Sequence, residues 1–188
     1  MSARESSESR NGNEISIRAA TEADLVFICE VLNAEIVTSP YVYAEATVSL
    51  DERRAWLALH SAAGLPVIVA TDVDDTTKLV GWAALSVYRP ASGYRFTTEA
   101  SVYVAPFAQR RGIGRLLLSR LCDEASARGK HAIVASIDAD NAPSIALFDR
   151  AGFREVGRLD SVGFKFGAWR TQVLFLKVIP SVARDRFH

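Results

Sequence analysis

An excess of charge of either sign is absent: 22 Lys and Arg face 22 Asp and Glu, so the formal net charge is +0. An overall basic field of the kind that holds proteins to nucleic acid is therefore missing, and that partner class is set aside. Cysteine is nearly absent too. Cys29 and Cys122 are the only two in 188 residues, each in an apolar, helix-like context, with no second Cys or His at metal spacing. That argues against a disulfide scaffold and against a zinc or other metal site. The pair reads as buried free thiols, suited to a reducing cytoplasm. Of the three histidines, His60 and His131 stand alone and His188 is the last residue, so no catalytic dyad is visible. No apolar run reaches the roughly 20 residues of a membrane-spanning helix. Residues 1–13 are polar and mixed in charge, without the apolar segment of a secretory signal. They are expected to form a disordered tail, as is 180–188. No internal repeat and no nucleophile-elbow serine pattern occurs.

What is present is ordinary globular material, 49% hydrophobic and 23% charged. It suffices for one domain with a full core over residues 14–179. Residues 15–19 alternate like a short strand. Thr21 with Asp24 reads as a helix opening. Leu25, Ile28, Leu32 and Ile36 then recur at helical spacing until Thr38-Ser39-Pro40 stops the helix. A second helix is expected from Ser49 or Asp51 through Trp56 and Leu59 to Gly64. Apolar β-type runs follow at 67–71, 79–88 and 97–104, separated by turns at 72–75 and 90–93. A helix over 112–128 stacks Ile113, Leu117, Leu121 and Ala125, and ends at Gly129. The nearly unbroken apolar run 132–137 predicts a buried strand. A short helix is expected over 141–151, and further strands around 153–157 and 172–178. This order predicts an α/β fold, a central mixed sheet flanked by helices on both faces.

The most informative stretch is Val102-Tyr103-Val104-Ala105-Pro106-Phe107-Ala108-Gln109-Arg110-Arg111-Gly112-Ile113-Gly114-Arg115. It reads as a strand, a short turn, a basic glycine loop and the start of an apolar helix. Gly112 and Gly114 let the backbone approach a ligand. The helix start aims unpaired N–H groups and a positive dipole end at the loop, and Arg110, Arg111 and Arg115 add charge, which together suit a pyrophosphate. The spacing matches neither the Walker lysine loop nor the dinucleotide Gly-x-Gly-x-x-Gly. An ordinary strand-to-helix turn with solvated arginines is the alternative.

Further motifs stand with this loop in a recognisable order: Ser101-Val102-Tyr103-Val104, Gln109-Arg110-Arg111-Gly112-Ile113-Gly114, Asn141-Ala142-Pro143-Ser144 and Ala151-Gly152-Phe153. In these the chain resembles the GNAT superfamily of N-acetyltransferases over roughly residues 15–179. A narrower resemblance lies in Asn33-Ala34-Glu35-Ile36-Val37-Thr38-Ser39, Thr98-Glu99-Ala100-Ser101-Val102-Tyr103-Val104 and Gly163-Phe164-Lys165-Phe166-Gly167-Ala168-Trp169. These look like the phosphinothricin and methionine sulfoximine acetyltransferase branch, whose members carry acetyl from acetyl-CoA to the α-amine of small amino-acid analogues and are generally homodimers. The branch often has an acidic residue where this chain has Thr171. A protein N-terminus or lysine as acceptor, or a non-catalytic acyl-CoA-binding module, is the alternative reading.

Acetyl transfer needs a neutral amine, a stabilised oxyanion and a leaving thiolate. Glu99, in a β-run just before the expected cofactor strand, is the candidate to take the amine proton; the matching glutamate is the proposed base in the branch. A solvent-facing carboxylate paired with Arg95 or Lys78 is the plainer alternative. The resemblance implies that Val102 and Val104 contact the pantetheine arm through their main chains, with Tyr103 between them facing the opposite side, toward the core. It further implies that residues 109–115 (Gln109, Arg110, Arg111, Gly112, Ile113, Gly114, Arg115) hold the CoA pyrophosphate, and that Asn141 and Ser144 contact the pantetheine arm. Arg110 and Arg111 are equally readable as solvated charges, and Asn141 is also a good N-cap. Where many family members carry a tyrosine as general acid this chain has Phe148. Water, Tyr43, Tyr88 or Tyr94 then protonates the thiolate, or CoA leaves unprotonated, which a thiol pKa of about 8.5 tolerates. For an acidic acceptor, Arg89, Tyr94 and Tyr43 are the candidate contacts. The aromatic and glycine-rich segment from Gly163 to Trp169 corresponds to the dimer interface of the branch.

Overall fold

A computed structural model describes residues 14–73 and 75–179. The expected tails at 1–13 and 180–188, with His188, lie outside the described residues, as does Asp74 of the first expected turn. In chain order the elements are β1 (Ile15–Ala19), α1 (Leu25–Thr38), α2 (Leu50–Ala62), β2 (Val67–Asp72), β3 (Leu79–Val87), β4 (Thr97–Val104), α3 (Ile113–Ala127), β5 (Ala132–Asp138), α4 (Ala142–Arg150), β6 (Arg154–Lys165) and β7 (Ala168–Val178). The strands form one seven-stranded sheet in the order β1-β2-β3-β4-β5-β7-β6. Neighbours are antiparallel except β4 and β5, which run parallel.

Local signals account for most boundaries. The Thr21 N–H and hydroxyl both donate to Asp24 Oδ2, at 2.7 and 2.9 Å, and a 3-10 turn over Glu22–Asp24 leads into α1. Ser49 and Glu52 close a reciprocal capping box at the start of α2. Gly129, at φ 64, ends α3. The four-apart stack of α3 is its core stripe: Ile113 is 1% exposed, and Leu117, Leu121 and Ala125 are fully buried.

The helices divide between the two faces. On one, Trp82 of β3 stacks on Tyr103 of β4 at 4.4 Å, and Trp56 of α2 meets Trp82 edge-on at 5.7 Å. The adjacent residue, Gly81, faces the other way. A Cβ there would lie 3.2 Å from Leu117 and 3.4 Å from Ile113, so α3 presses on that face. The same Cβ would lie 2.8 Å from the Tyr103 carbonyl oxygen, so this close approach admits only glycine.

Two expectations are revised. β6 and β7 are much longer than the segments expected around 153–157 and 172–178. They form a long hairpin closed by Phe166 (φ 50) and Gly167 (φ 76), both left-handed as a tight two-residue turn requires. Register shifts between Glu155 and Gly157 and between Leu159 and Gly163 break the alternation that would have marked the strands. The cysteines are free but only half-buried; Cys29 Sγ donates to the Val48 carbonyl at 3.2 Å.

The feature that makes a site is the β4–β5 junction. Pairing runs only from Thr97 opposite Ala132 to Glu99 opposite Val134. Beyond Glu99 the strands part: β4 continues to Val104 and β5 to Asp138 with no ladder between them. The backbone edge of β4 from Ala100 onward thus faces a fork.

Candidate active site

The fork opens into a cleft of about 1180 Å³. One wall is β4 with Val102, Tyr103 and Val104, the opposite wall is β5 with Ser136 and Asp138, and residues 39–42 of the α1–α2 loop close one side. The glycine loop and the first turn of α4 complete it through Gln109, Arg110, Gly112, Gly114, Arg115, Asn141 and Ser144. In the glycine loop Arg110 (φ 64) and Gly112 (φ 78) are both left-handed. Such turns gather N–H groups into a concave anion cradle, and the N-terminus of α3 adds its dipole. A Cβ on Gly112 would meet no atom within 4 Å, so its positive φ is what asks for glycine. Gly114 packs closely instead: a Cβ there would lie 3.2 Å from the Leu147 side chain of α4, which would have to give way.

The loop's side chains divide. Arg110 and Arg115 are exposed at the cleft. Arg111 turns toward β2, its guanidinium 4.0 Å from Asp72 Oδ2. Ile113 lines the cleft only from within the core, and Gln109 Nε2 donates to the Val104 carbonyl at 3.3 Å, holding the strand end. Asn141 is the N-cap of α4, its Oδ1 accepting from the Ser144 N–H at 3.2 Å. Phe148 is buried and meets Phe153 edge-on at 5.0 Å. Burial pushes the Tyr103 hydroxyl pKa up, and its ring stays on Trp82.

Glu99 sits half-buried at the base of the fork, where its Oε1 accepts from Ser136 Oγ at 2.8 Å. Arg95 is engaged elsewhere, over the Phe96 ring at 4.4 Å and donating to the Ser92 carbonyl at 3.1 Å. Arg89 stands over Tyr88 at 5.1 Å and Tyr94 at 5.5 Å. This trio lies at the β3–β4 hairpin, the end of β4 nearer Glu99, and does not line the cleft.

Tyr43 likewise stays out of the cleft lining. Its ring packs where a Gly163 side chain would stand, and its hydroxyl donates to Asp138 Oδ2 at 2.9 Å. Burial and the Asp138 carboxylate push its pKa up to about 12. Asp138 is held from the other side by Arg170, whose Nε and NH2 donate at 2.9 and 2.6 Å; NH2 also reaches Asp140 at 3.0 Å. Burial alone would raise the Asp138 pKa, but the Arg170, Asp140 N–H and Tyr43 hydrogen bonds outweigh it and hold the carboxyl below its ordinary value.

Ser136, Asp138 and Arg170 were not singled out from sequence. Ser136 carried a signal, being a lone hydroxyl inside the apolar run of β5 and exposed among buried neighbours. Among the described residues no group of three or more His, Cys, Asp or Glu is placed to hold a metal.

The chain matches the Acetyltransferase (GNAT) family over residues 31–153. It is 39% identical over 155 residues, 82% of this chain and 89% of the other, to the L-methionine sulfoximine/L-methionine sulfone acetyltransferase of Salmonella typhimurium strain LT2. Among solved structures it is similar to a GNAT superfamily phosphinothricin acetyltransferase from Sinorhizobium meliloti in complex with AcCoA, at 31% identity and a TM-score of 0.84 over 88% of each chain. It is also similar to a ribosomal-protein-alanine N-acetyltransferase from Brucella melitensis, at 40% identity and a TM-score of 0.83 over 87% of this chain and 99% of that one.

Proposed function

The chain belongs to the acetyltransferase (GNAT) family, and from that premise we propose that it carries acetyl from acetyl-CoA directly to the α-amine of a small amino-acid-like acceptor. Methionine sulfoximine, methionine sulfone and phosphinothricin define the acceptor class, by the names of its relatives. The observation that carries this reading is the fork, with the Glu99 carboxylate at its base and the glycine loop at its rim. Those two places are where an amine proton and a pyrophosphate would go. The cleft and its concave glycine loop fit acetyl-CoA, here a substrate. Residues 109–115 and the main chain of Val102 and Val104 would hold it, with Asn141 and Ser144 on the arm. In this reading Glu99 takes the amine proton, and Arg89 and Tyr94 meet the acceptor's acidic groups. Tyr43 acts at the acceptor end by bracing the α1–α2 loop that walls the cleft. Neither Cys29 nor Cys122 lines the cleft, which suits direct transfer.

Residues 14–179 act as one catalytic unit in this reading, and the hairpin from Gly163 to Trp169 pairs two copies as a homodimer. The free thiols suit a reducing cytoplasm. A second reading takes a peptide N-terminus as acceptor, supported by the likeness to the Brucella enzyme. Thiol release from acetyl-CoA decides between them, measured against phosphinothricin, methionine sulfoximine, methionine sulfone, common amino acids and N-terminal peptides. The first reading expects turnover with the small acidic amines, and a Glu99→Gln loss of about 10²- to 10⁴-fold in kcat with acetyl-CoA affinity kept. Turnover with peptides alone supports the second reading. Full activity of Glu99→Gln removes the carboxylate from the reaction.

A further inference from the structure

The Glu99 carboxylate is not part of the cleft wall, whereas Ser136, its hydrogen-bond donor, is. Ser136 lies on β5 two residues beyond Val134, the last residue paired with β4. Residues two apart on a strand share a face. Its side chain therefore projects just inside the fork, on the side where Glu99 stands, and it is exposed while Val134, Ala135 and Ile137 around it are buried. With its own O–H given to Glu99 Oε1 at 2.8 Å, the Ser136 oxygen still has lone pairs for an N–H donor in the cleft.

We propose that Ser136 is the proton relay between the acceptor amine and Glu99. The proposal rests on the acetyltransferase reading above. One proton leaves the acceptor ammonium for Ser136 Oγ as the Ser136 proton passes to Glu99 Oε1, leaving a neutral amine, a neutral serine and a protonated Glu99. The amine nitrogen then bonds to the acetyl carbon and the C–S bond breaks. The second nitrogen proton goes through solvent to the departing sulfur, giving amide and free thiol. Glu99 later returns its proton to solvent. A hydroxyl can do this because it gives one proton while taking another.

The test compares Ser136→Ala, Ser136→Thr, Glu99→Gln and the Ser136→Ala/Glu99→Gln pair in thiol-release kinetics with methionine sulfone across pH. Ser136→Ala should lower kcat by about 10- to 100-fold with the KM for acetyl-CoA unchanged. The deficit should shrink at pH above the acceptor amine's own pKa, where no ammonium needs deprotonating. Ser136→Thr, which keeps the hydroxyl, should recover most of the rate. In the Glu99→Gln background Ser136→Ala should add little, because the two act in series. Wild-type kcat in Ser136→Ala, a deficit independent of pH, or additive losses in the pair would each overturn the relay. If Glu99→Gln is fully active, the failure is that of the general-base reading, and Ser136→Ala then shows separately whether the hydroxyl matters. Because Ser136 is exposed, folding of each variant is checked by an unchanged thermal midpoint.

Discussion

His60 shows what a single residue does once the fold has closed around it. It is 8% exposed, with Nδ1 2.8 Å from the Trp56 carbonyl oxygen and Nε2 2.9 Å from Ser86 Oγ. The carbonyl requires the proton on Nδ1, so the neutral ring accepts from Ser86. Burial, helped slightly by Arg53, pushes the His60 pKa below 6.5, against the Trp56 hydrogen bond. The unfolded chain therefore takes up this proton first as pH falls. The contribution is whole above 6.5 and is lost as pH falls through the lower folded value. Asp24, Asp138 and Glu124 all have carboxyl pKa values lowered from 3.8 or 4.5, so they act in a more acidic window. Urea midpoints should thus drop between pH 7.5 and 5.5, and His60→Gln should remove most of that drop. A drop of equal size in the variant would assign it to another group. Nothing in the sequence around His60 announced this, since its partners are a backbone carbonyl and a serine 26 positions away. The Arg170–Asp138–Tyr43 chain was hidden for the same reason: it joins residues 32 and 95 positions apart. The glycine loop and the Asn141 cap were legible because their neighbours in sequence are also their neighbours in space, whereas the Ser136 partner of Glu99 stands 37 positions away.

At the scale of elements, α1 and α3 were readable from apolar residues recurring at helical spacing, and β2 through β5 from β-type runs bounded by turns. The β6–β7 hairpin was readable only at its outer ends, around 153–157 and 172–178, since its register shifts put successive side chains out of phase and its interior includes Gly157 and Gly163. Gly163 ties this hairpin to the loop that walls the cleft. A Cβ there would stand 2.4 Å from Tyr43 Cε2 and 2.6 Å from Cδ2. That ring cannot step aside cheaply while its hydroxyl is bound to the buried Asp138. Lys165 adds a second tie, its ammonium donating to the Ala44 carbonyl. Gly163→Ala is therefore expected to cost about 1–3 kcal/mol through overpacking. In a Tyr43→Ala background, with the ring gone, the same change should cost a few tenths of a kcal/mol at most. Urea unfolding of both single variants and the double variant measures the coupling. Additive costs would mean that the strain lies in the β6 backbone and not against Tyr43.

For the whole molecule, the open question of design is the outer edge of the sheet. β6 is an edge strand, and its hairpin presents Phe166 at 59% and Trp169 at 67% exposure, with Phe164 edge-on to Trp169 at 5.2 Å. Val162 and Leu159 are exposed on the same hairpin. Large aromatics gathered on a bare edge are an aggregation liability unless a partner covers them. A second copy is the partner that the proposed homodimer supplies, and aromatic cores are what such interfaces use. The same hairpin is bonded to the cleft-walling loop through Lys165, which donates to the Ala44 carbonyl, and through the Tyr43 hydroxyl, which donates to the Thr171 carbonyl at 3.3 Å, so in the proposed reading its cover bears on the acceptor side. Sedimentation equilibrium should find the wild-type chain as a dimer at micromolar concentration, and Phe166→Glu/Trp169→Glu as a monomer that still binds acetyl-CoA. In the monomer, kcat/KM for the acceptor should fall while the KM for acetyl-CoA holds, because the hairpin's ties reach the α1–α2 loop and none of them is made to the glycine loop. A wild-type monomer under these conditions would end the dimer proposal. A monomeric variant with undiminished acceptor kcat/KM would keep the dimer and cut its link to the site.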